Sequence, residues 1–497
     1  MKYITLLLIM VSLGSCVSNE SPSSTFFQHG VASGDPLENN IILWTRVTDT
    51  SANLNQMELL WEMAEDDKFR DLTNSGNIAT SSARDFTVKV DVDGLKEGTV
   101  YFYRFNYKDN YSPTGRTKTI SNTADSLEFA IVSCSNYEWG YFNAYGRIAQ
   151  RPILDAVIHL GDYIYEYAPG TYGDTTLKRK HFPAKELISL QDYRSRYAQY
   201  RLDADLQAVH ASHPFITIWD DHEVANDVYK DGAQNHQSDE GLFNTRKNFA
   251  TQAYYEWMPI RENQKHYRKF KYGALADLYM LDERLDGRTK PVPNTKDPTY
   301  QDTSRKMISD EQRSWLFENL KESSATWKII GNQVIFSDLK QGMVFPNRAR
   351  NMDSWDGYPA DKNRFAQFIK DEKLKNIVFV TGDTHSSWAL EVITKEVSRV
   401  PIATEFGTPS INSANFDEYS TLDSAKMAES LYANMNNHIR YNNLTDHGYT
   451  LMTITKNKTT VRFYYVDTVK EPSQIERLGE KLWVFDGKPA IKRFSLY

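Results

Sequence analysis

The stretch Ala156-Val-Ile-His-Leu160-Gly-Asp162-Tyr-Ile-Tyr165-Glu166 decides the fold. Its first five residues are mostly apolar, as in a strand that is buried on both faces. A glycine then marks a turn, and an aspartate and a tyrosine follow directly beyond it. In open α/β sheets ligands bind at the carboxyl ends of the strands, so these polar residues are candidates for a functional site.

Three further apolar runs end in the same way. Polar residues follow each of them: Cys134 after Phe129–Ser133, Asp220-Asp221-His222-Glu223 and Asn226 after Phe215–Trp219, and Gly382-Asp383-Thr-His385 after Ile377–Thr381. Taken singly, a Gly-Asp after a strand is often only a turn, and Asp-Asp-His-Glu is equally a solvated loop or a helix start. Their joint occurrence at four strand ends favours one site at a common sheet edge.

Helical patterns separate these runs. Trp327–Gly331 forms a fifth apolar run, and helices are predicted over Leu190–Leu206 and Asp310–Ser323. Ser309 is placed to cap the latter helix, with Gln312 at its third position. Strands that alternate with helices predict a layered α/β domain from Leu127 onward.

The candidate ligands are chemically mixed. A thiolate (Cys134), a phenolate (Tyr165) and an imidazole (His385) favour a trivalent or borderline transition metal, with iron the natural candidate. The carboxylates of Asp221 and Asp383, with the amide of Asn226, suit a harder ion such as calcium. Asp162 follows a tight glycine turn and is placed to bridge two ions. A structural zinc site is disfavoured, because a single cysteine cannot supply the usual sulfur-rich set.

Two adjacent cations suggest a mechanism. They would clamp a phosphoryl oxygen and activate water, hydroxide or oxide for attack on phosphorus. His222, next to the ligand Asp221, is the candidate to donate a proton to the leaving alkoxide.

The first part of the chain has a different pattern. Short β-type runs, separated by turn signals such as Asp93-Gly94, predict an antiparallel sandwich over residues 26–124: Ile41–Val47, Met57–Met63, Phe86–Val92 and Val100–Tyr107. Leu95 followed by Thr99, Tyr101 and Tyr103 resembles the tyrosine-corner region of fibronectin type III modules.

The N-terminus indicates export. Lys2, an apolar run over residues 4–13 and Gly14-Ser15-Cys16 form a signal that is too short to span a bilayer. Leu13-Gly-Ser-Cys16 also resembles a bacterial lipobox, which predicts a lipoprotein signal peptide over residues 1–16, lipidation of Cys16 and a polar tether over residues 17–25. The alternative is a plain secretory signal with an incidental cysteine. A lipid anchor would hold the protein to a membrane, in the periplasm or at the cell surface.

Composition restricts the remaining possibilities. The chain has 497 residues, a formal net charge of −7 and two cysteines, Cys16 and Cys134. With no long basic run, it lacks the electrostatic footprint of a nucleic-acid binder. If Cys16 carries lipid, Cys134 is a lone thiol, either a small buried hydrophobe or a metal ligand.

Taken together, the motifs resemble the PhoD-like alkaline phosphatase family of metallophosphoesterases. Besides the strand-end motifs, the resemblance rests on His29-Gly-Val-Ala-Ser-Gly-Asp-Pro36, Leu43-Trp-Thr-Arg46, Gly331-Asn-Gln333 and Trp355-Asp-Gly-Tyr358. It implies a β-sandwich followed by an α/β/β/α metallophosphoesterase domain over residues 127–497. It also implies a ferric ion, calcium ions and alkaline activity on phosphate monoesters or diesters. Separately from the resemblance, we expect a monomer.

By position, the resemblance assigns ligands to each metal. The iron set is Cys134, Asp162, Tyr165 and His385, and the calcium set is Asp162, Asp221, Asn226 and Asp383. No role follows for Asp220 or Asp227. Asn332, Arg284 and Arg364 are candidates for substrate contact, although a structural role is the commoner one for such residues.

Two other hypotheses remain open. The chain could be a surface lipoprotein that binds carbohydrate through its sandwich domain, or a glycoside hydrolase that uses two of Asp220, Asp221 and Glu223. The second leaves Cys134 and Tyr165 unexplained. Monoester or diester preference depends on what covers the site, for which residues 170–192 and the stretch after Asn412 are candidates.

Overall fold

The computed structural model describes residues 26–50, 55–262 and 265–493. The predicted signal peptide, the tether and Cys16 lie outside the described residues. Within them, no helix has both the length and the apolar character needed to cross a membrane.

A ten-stranded mixed sheet, here called the first sheet, forms the centre of the molecule. Its strands, in spatial order, are Lys488–Arg493, Glu476–Phe485, Lys458–Val466, Gly448–Thr455, Ser126–Val132, Ala156–His159, Pro214–Thr217, Val31–Gly34, Ile41–Arg46 and Thr87–Val92. The predicted runs at Phe129, Ala156 and Phe215 are parallel neighbours in its middle. They are apolar throughout because both faces of the sheet are covered.

A seven-stranded mixed sheet, the second sheet, packs against the first. Its strands, in spatial order, are Arg268–Tyr272, Ala276–Met280, Trp327–Asn332, Ile377–Thr381, Ala403–Gly407, Ser387–Val392 and Ile439–Asn443. Side chains from both sheets share one buried core, among them Ile131, Ile158, Ile216, Leu278, Ile329 and Val378.

Helices cover the outer faces of the two sheets. The first sheet carries Asn143–Ala149, Leu190–Tyr200, Ala204–Ser212 and Phe243–Trp257, and the second carries Asp310–Glu322 and Pro359–Asp371. Two further helices, Phe416–Tyr419 and Leu422–Met435, lie in the chain between the strands Ala403–Gly407 and Ile439–Asn443 of the second sheet, and short 3₁₀ turns occur at Ser82–Arg84, Ser238–Glu240 and Trp355–Gly357. The expected α/β/β/α layering is confirmed.

The N-terminal β-rich part is also present, but it is not separate from the first sheet. A small antiparallel sheet contains Leu72–Ser81, Gln56–Ala64, Val100–Tyr107, Asn110–Tyr111 and Gly115–Lys118. The layer opposite it consists of Val31–Gly34, Ile41–Arg46 and Thr87–Val92, and these strands continue the first sheet because Val31–Gly34 pairs in parallel with Pro214–Thr217. The tyrosine corner forms as expected: the Lys96 amide donates to Tyr101 Oη at 2.9 Å.

Two helix predictions were correct only in part. Residues 190–206 form two helices rather than one, because the Asp203 carboxylate accepts from the amides of Asp205 and Leu206 and begins the second. Ser309 caps the helix from Asp310 as expected, but the Gln312 side chain bonds to Asp282 instead of returning to the cap.

Candidate metal centre and active site

Four strands deliver the predicted ligands to one place, but from two sheets. Cys134, Asp162 and Asp221 follow neighbouring strands of the first sheet, whereas Asp383 follows a strand of the second. The expectation of a single sheet edge was therefore wrong, because the site lies where the carboxyl ends of both sheets meet. Gly382 permits this close approach: a Cβ there would lie 3.0 Å from the Ser133 Cβ.

The chain turns sharply where the ligands begin. Cys134, Asp162, Asp383 and His385 all have positive φ, at 60°, 55°, 62° and 55°. Residues other than glycine rarely adopt this conformation, and it clusters at functional sites where the surroundings enforce it. At Asp162 the support is Glu223, a buried carboxylate that accepts from the amides of Asp162 (3.1 Å), Tyr163 (2.6 Å) and Asp220 (2.8 Å).

One half of the site brings together a mixed set of donors. Donor atoms of Cys134, Asp162 and His385 lie within 4.8 Å of one another. The Tyr165 hydroxyl donates to Asp162 Oδ2 at 3.1 Å and lies 3.2 Å from His385 Nε2. His385 Nδ1 lies 2.9 Å from the Ala414 carbonyl, and a proton donated there leaves Nε2 available as a ligand.

The other half is rich in oxygen. Carboxylate oxygens of Asp220, Asp221 and Asp383 lie within 4.8 Å of one another. Arg284 is fully buried between them: it pairs with Asp220, with Asp353 at 2.8 Å and with Asp383 at 3.4 Å. One guanidinium thus pairs with several carboxylates, which leaves an excess of negative charge in this half of the site.

His222 lies between the two halves. Its Nδ1 is 2.7 Å from Glu166 Oε2, and one of its donor atoms lies within 4.8 Å of donors of Asp162 and Asp221. The other Glu166 oxygen accepts from the Asn226 amide and from Asn235 Nδ2, both at 2.8 Å. The buried Glu166 therefore fixes the orientation of the imidazole ring.

The pKa values of the site residues are shifted because the groups are buried and have too few opposite charges nearby. Burial raises the pKa of Cys134, Asp162 and Tyr165 well above their usual ranges. Burial, reinforced by the Asp220 carboxylate, does the same to the pKa of Asp383. Burial would lower the pKa of His222, but nearby carboxylates, that of Asp221 first, raise it well above its usual value.

Two buried carboxylate oxygens in this cluster make no hydrogen bond, Asp162 Oδ1 and Asp220 Oδ2. Unpaired buried anions are costly, whereas bound cations would neutralise them. The donor set therefore fits metal ions, with sulfur, nitrogen and phenol oxygen on one side and carboxylates on the other.

The remaining candidates divide between the site and the scaffold. The side-chain nitrogen of Asn226, Nδ2, donates to Gln234 Oε1 at 3.0 Å. The side-chain oxygen of Asn226 takes no part in that bond. Arg284 belongs to the site, but Arg364 pairs with Asp361 and the Asn332 side chain bonds to Val334 and Trp355. The last two therefore have structural partners rather than site contacts.

Several functional residues were not predicted in these roles. Glu166, Glu223 and Asp353 act through contacts between distant elements, although the first two stand within the strand-end motifs. Asp227 donates its amide to Asp221 at 2.7 Å. The Asp353 carboxylate, followed by burial, raises the pKa of Asp227 to about 7.

The segments proposed as covers contribute aromatic rings beside the site. Tyr172 stacks on His385 with ring centroids 6.5 Å apart, and Trp139 contacts Tyr172 at 5.5 Å and Tyr419 at 6.0 Å. Ser413 donates to the Tyr165 hydroxyl at 2.8 Å. Both residues 170–192 and the stretch after Asn412 therefore contact candidate ligand residues.

Comparisons with known proteins agree with this geometry. The family model described as PhoD-like phosphatase matches residues 129–463, and the model of the PhoD-like phosphatase N-terminal domain matches residues 14–121. Alkaline phosphatase D of Bacillus subtilis (strain 168) is 37% identical over 493 residues, which covers 94% of this chain and 82% of that protein. A solved structure titled "Structure of PhoD" superposes with a TM-score of 0.86 at 34% identity, over 95% of this chain and 93% of the other.

Proposed function

Because the chain belongs to the PhoD-like phosphatase family, and is therefore a metal-dependent hydrolase of phosphate esters, we propose that a ferric ion and calcium ions form its catalytic centre. The observation that carries the proposal is the adjacency of two chemically different donor sets around Asp162. Membership of this family favours ester hydrolysis over the carbohydrate-binding and glycosidase hypotheses.

The ferric ion is assigned to Cys134, Asp162, Tyr165 and His385. A thiolate and a phenolate are strong ligands for a trivalent ion, and both side chains are fully buried. Their raised pKa values in the metal-free chain mean that ionisation depends on the cation. Calcium is assigned to Asp162, Asp221, Asn226 and Asp383, which offer only oxygen.

When bound, the cations would polarise a phosphoryl oxygen and acidify water beside it. The protein's own residues hold this arrangement in place. Arg284 pairs with Asp220, Asp353 and Asp383 and fixes their positions. Glu223 fixes the turn at Asp162, and the Tyr165 ring packs against the His222 ring with centroids 4.2 Å apart.

His222 is assigned as the proton donor to the leaving oxygen. Its Nδ1 is engaged by Glu166, so Nε2 is the ring atom left to face substrate. The nearby carboxylates raise its pKa, which keeps the ring protonated in the metal-free protein. Bound cations would offset part of that effect.

The proposal extends to location. Cys16 anchors an exported monomer to a membrane through lipid, with residues 17–25 as the tether. The lipobox-like Leu13-Gly-Ser-Cys16 supports this assignment. Replacing Cys16 with Ser should release a soluble, active protein, and unchanged membrane association would contradict the anchor.

Metal analysis with parallel assays tests the centre. Purified protein should contain iron and calcium and hydrolyse aryl phosphate monoesters and diesters at alkaline pH. Cys134→Ala should lose iron, while Asp361→Asn, whose carboxylate pairs with Arg313 and Arg364 and not with a candidate ligand, should keep both metals. Full turnover by protein that holds neither metal would exclude the proposal, and the ratio of monoester to diester rates defines the substrate class.

A further inference from the structure

Residues 410–415, here called the 410–415 loop, follow the strand Ala403–Gly407 of the second sheet. The loop is fixed to the chain just beyond Cys134. The Asn412 side chain exchanges two hydrogen bonds with the backbone of Asn136: its Oδ1 accepts from the amide at 2.8 Å, and its Nδ2 donates to the carbonyl at 2.9 Å. Both residues are fully buried, so these hydrogen bonds are shielded from water. The loop therefore has a defined position beside the metal centre.

The loop contacts three of the four residues that are assigned to the ferric ion. The Ser413 hydroxyl lies 2.8 Å from Tyr165 Oη and 2.8 Å from the Cys134 carbonyl oxygen. The Ala414 carbonyl oxygen lies 2.9 Å from His385 Nδ1. Of these contacts, the one between Ser413 and Tyr165 reaches an atom that would itself bind the metal.

The Tyr165 hydroxyl oxygen lies close to three polar side chains. Asp162 Oδ2 is 3.1 Å away, His385 Nε2 is 3.2 Å away and Ser413 Oγ is 2.8 Å away. Asp162 and His385 are themselves assigned as ligands, so their donor atoms would face cations in the loaded centre. A phenolate oxygen carries no proton and only accepts hydrogen bonds. Of the three side chains, Ser413 is then the one that can donate a hydrogen bond to Tyr165.

The Ser413 hydroxyl can turn towards a phenolate without leaving another group unpaired. Its single proton has two acceptors at equal distance, Tyr165 Oη and the Cys134 carbonyl oxygen. The Cys134 carbonyl also accepts from the Ser413 amide at 3.3 Å, so it keeps a partner when the hydroxyl rotates. A hydrogen bond to an ionised oxygen is about twice as strong as one between neutral groups, and the charged phenolate therefore attracts the proton.

We propose that Ser413 is a positioning residue of the ferric ligand set: its hydroxyl donates a hydrogen bond to the Tyr165 phenolate oxygen and fixes the direction in which that oxygen faces the metal. This inference rests on the proposed function and on its assignment of Tyr165 as a ligand. Hydrogen-bond partners of metal ligands typically change metal affinity by about 10- to 100-fold when they are removed. Loss of the Ser413 hydroxyl should therefore weaken iron binding without removing a ligand.

Ser410 provides a matched control in the same loop. It is also fully buried, and its hydroxyl donates to the Ser413 carbonyl at 2.7 Å and lies 2.9 Å from His447 Nδ1. These contacts support the loop but do not reach a candidate ligand. Ser410→Ala thus removes a buried serine hydroxyl from the loop and keeps the hydrogen-bond donor at Tyr165.

The absorption spectrum of the iron-loaded, full-length protein tests the proposal. A ferric phenolate absorbs visible light through charge transfer from oxygen to metal, and resonance Raman scattering identifies the ring vibrations of the phenolate. Loss of a hydrogen-bond donor raises the energy of the phenolate electrons. Ser413→Ala should therefore move the band to longer wavelength, whereas Ser410→Ala should leave it in place.

Iron affinity gives a second measurement. In competition with a ferric chelator, Ser413→Ala should release iron at a chelator concentration about 10- to 100-fold lower than the unaltered protein does, and Ser410→Ala should behave like the unaltered protein. A band that does not move in Ser413→Ala would overturn the proposal. An equal change in both variants would also overturn it, because the loop as a whole and not the Ser413 hydroxyl would then be responsible.

The unaltered protein separates this inference from the proposed function. If it binds no iron, or binds iron without a phenolate band, the proposed ferric centre fails and the role of Ser413 fails with it. If it shows the phenolate band and Ser413→Ala does not change that band, the ferric centre stands and only the role of Ser413 is refuted.

Discussion

Two of the buried clusters of charged residues differ in how completely their charges are paired. Asp356 is paired with Lys362 and with Arg350 at 2.9 Å, and Lys362 also binds Asp338, so two acids meet two cations. In the active site, Asp220, Asp221, Asp353 and Asp383 all lie within 4 Å of the one guanidinium of Arg284. Among the described residues, Asp353 is the one of these four acids that also pairs with a second arginine, Arg288.

The difference shows what each cluster is for. A buried ion pair that is complete within the chain fixes structure, while a surplus of buried carboxylates needs partners from outside the chain. Lys362 and Arg350 hold the pKa of Asp356 below its usual value against the effect of burial, whereas burial raises the pKa of Asp383 well above its usual value in spite of Arg284.

The largest effect is expected from Asp162→Asn, which removes the carboxylate shared by both donor sets. Activity should fall on the order of 10³-fold or more, since metal activation supplies several kcal/mol. Steady-state kinetics and metal content measure this, with Asp356→Asn as the control in the complete cluster. Retention of both metals and of activity in Asp162→Asn would contradict the bridging role.

Loss of the proton donor comes next. His222→Asn should slow alkyl phosphate esters by about 10²–10⁴-fold, and slow esters with good leaving groups much less, because these leave without a proton. Glu166→Gln should show the same dependence on leaving group with a smaller loss, about 10–100-fold. An equal loss on every ester would assign His222 to metal binding instead.

A substitution in the cluster of Asp356, Lys362, Arg350 and Asp338 should change the stability of the protein and not its activity. Asp356→Asn leaves Lys362 buried with one partner fewer, and the free energy of unfolding should drop by about 3–5 kcal/mol. Denaturant titration measures the change, and the folded fraction should keep its activity per molecule. A drop below about 1 kcal/mol would mean that the ion pairs contribute little here.

Removing the metal should destabilise the protein only through the active-site cluster around Arg284, in which carboxylates outnumber cations. Ligand in 100- to 1,000-fold excess over its dissociation constant stabilises by about 3–4 kcal/mol, so chelation should lower the unfolding midpoint accordingly. Asp356→Asn should show the same metal-dependent shift as the unaltered protein, and Asp162→Asn should lose it. A shift that survives in Asp162→Asn would place the ions elsewhere.

The smallest effect concerns pH. The folded pKa of Asp227 is about 7 and its unfolded value about 3.9, so its ionised form destabilises the metal-free fold. The penalty is absent below the unfolded pKa, grows as pH rises between the two values and is complete above the folded pKa. Three pKa units correspond to about 4 kcal/mol if the surrounding groups stay fixed. Because Asp353 interacts most strongly with Asp227 and responds to the same titration, we expect Asp227→Asn to stabilise metal-free protein by only about 1–2 kcal/mol at alkaline pH and not at pH about 4, as thermal melts at both pH values would show.

Sequence patterns located the candidate ligands that the structure brings together because each follows an apolar run. Cys134, Asp162 and His385 needed no tertiary information beyond the rule that strand ends carry ligands. That two sheets contribute was not predictable, since an apolar run carries no signal of which sheet it joins. The partners of these ligands, such as Glu166 for His222, depend on side chains that meet only in the folded chain.

The same limit explains the missed elements. Strand Leu72–Ser81 is polar and largely exposed at the edge of the small sheet, so its sequence lacks the apolar alternation of a half-buried strand. The predicted helix over residues 190–206 was divided because Asp203 can cap a new helix as well as occupy the interior of one. Local patterns were sufficient where burial was uniform and failed at edges and boundaries.

The pairing of Val31–Gly34 with Pro214–Thr217 has a consequence for modularity. Two family models divide the chain near residue 125, yet backbone hydrogen bonds run uninterrupted across that division. Deleting the N-terminal part would expose the unpaired edge of Pro214–Thr217, the strand that leads to Asp221, and such edges invite aggregation. Protein engineers who wish to exchange the two parts should therefore transplant them as one cassette.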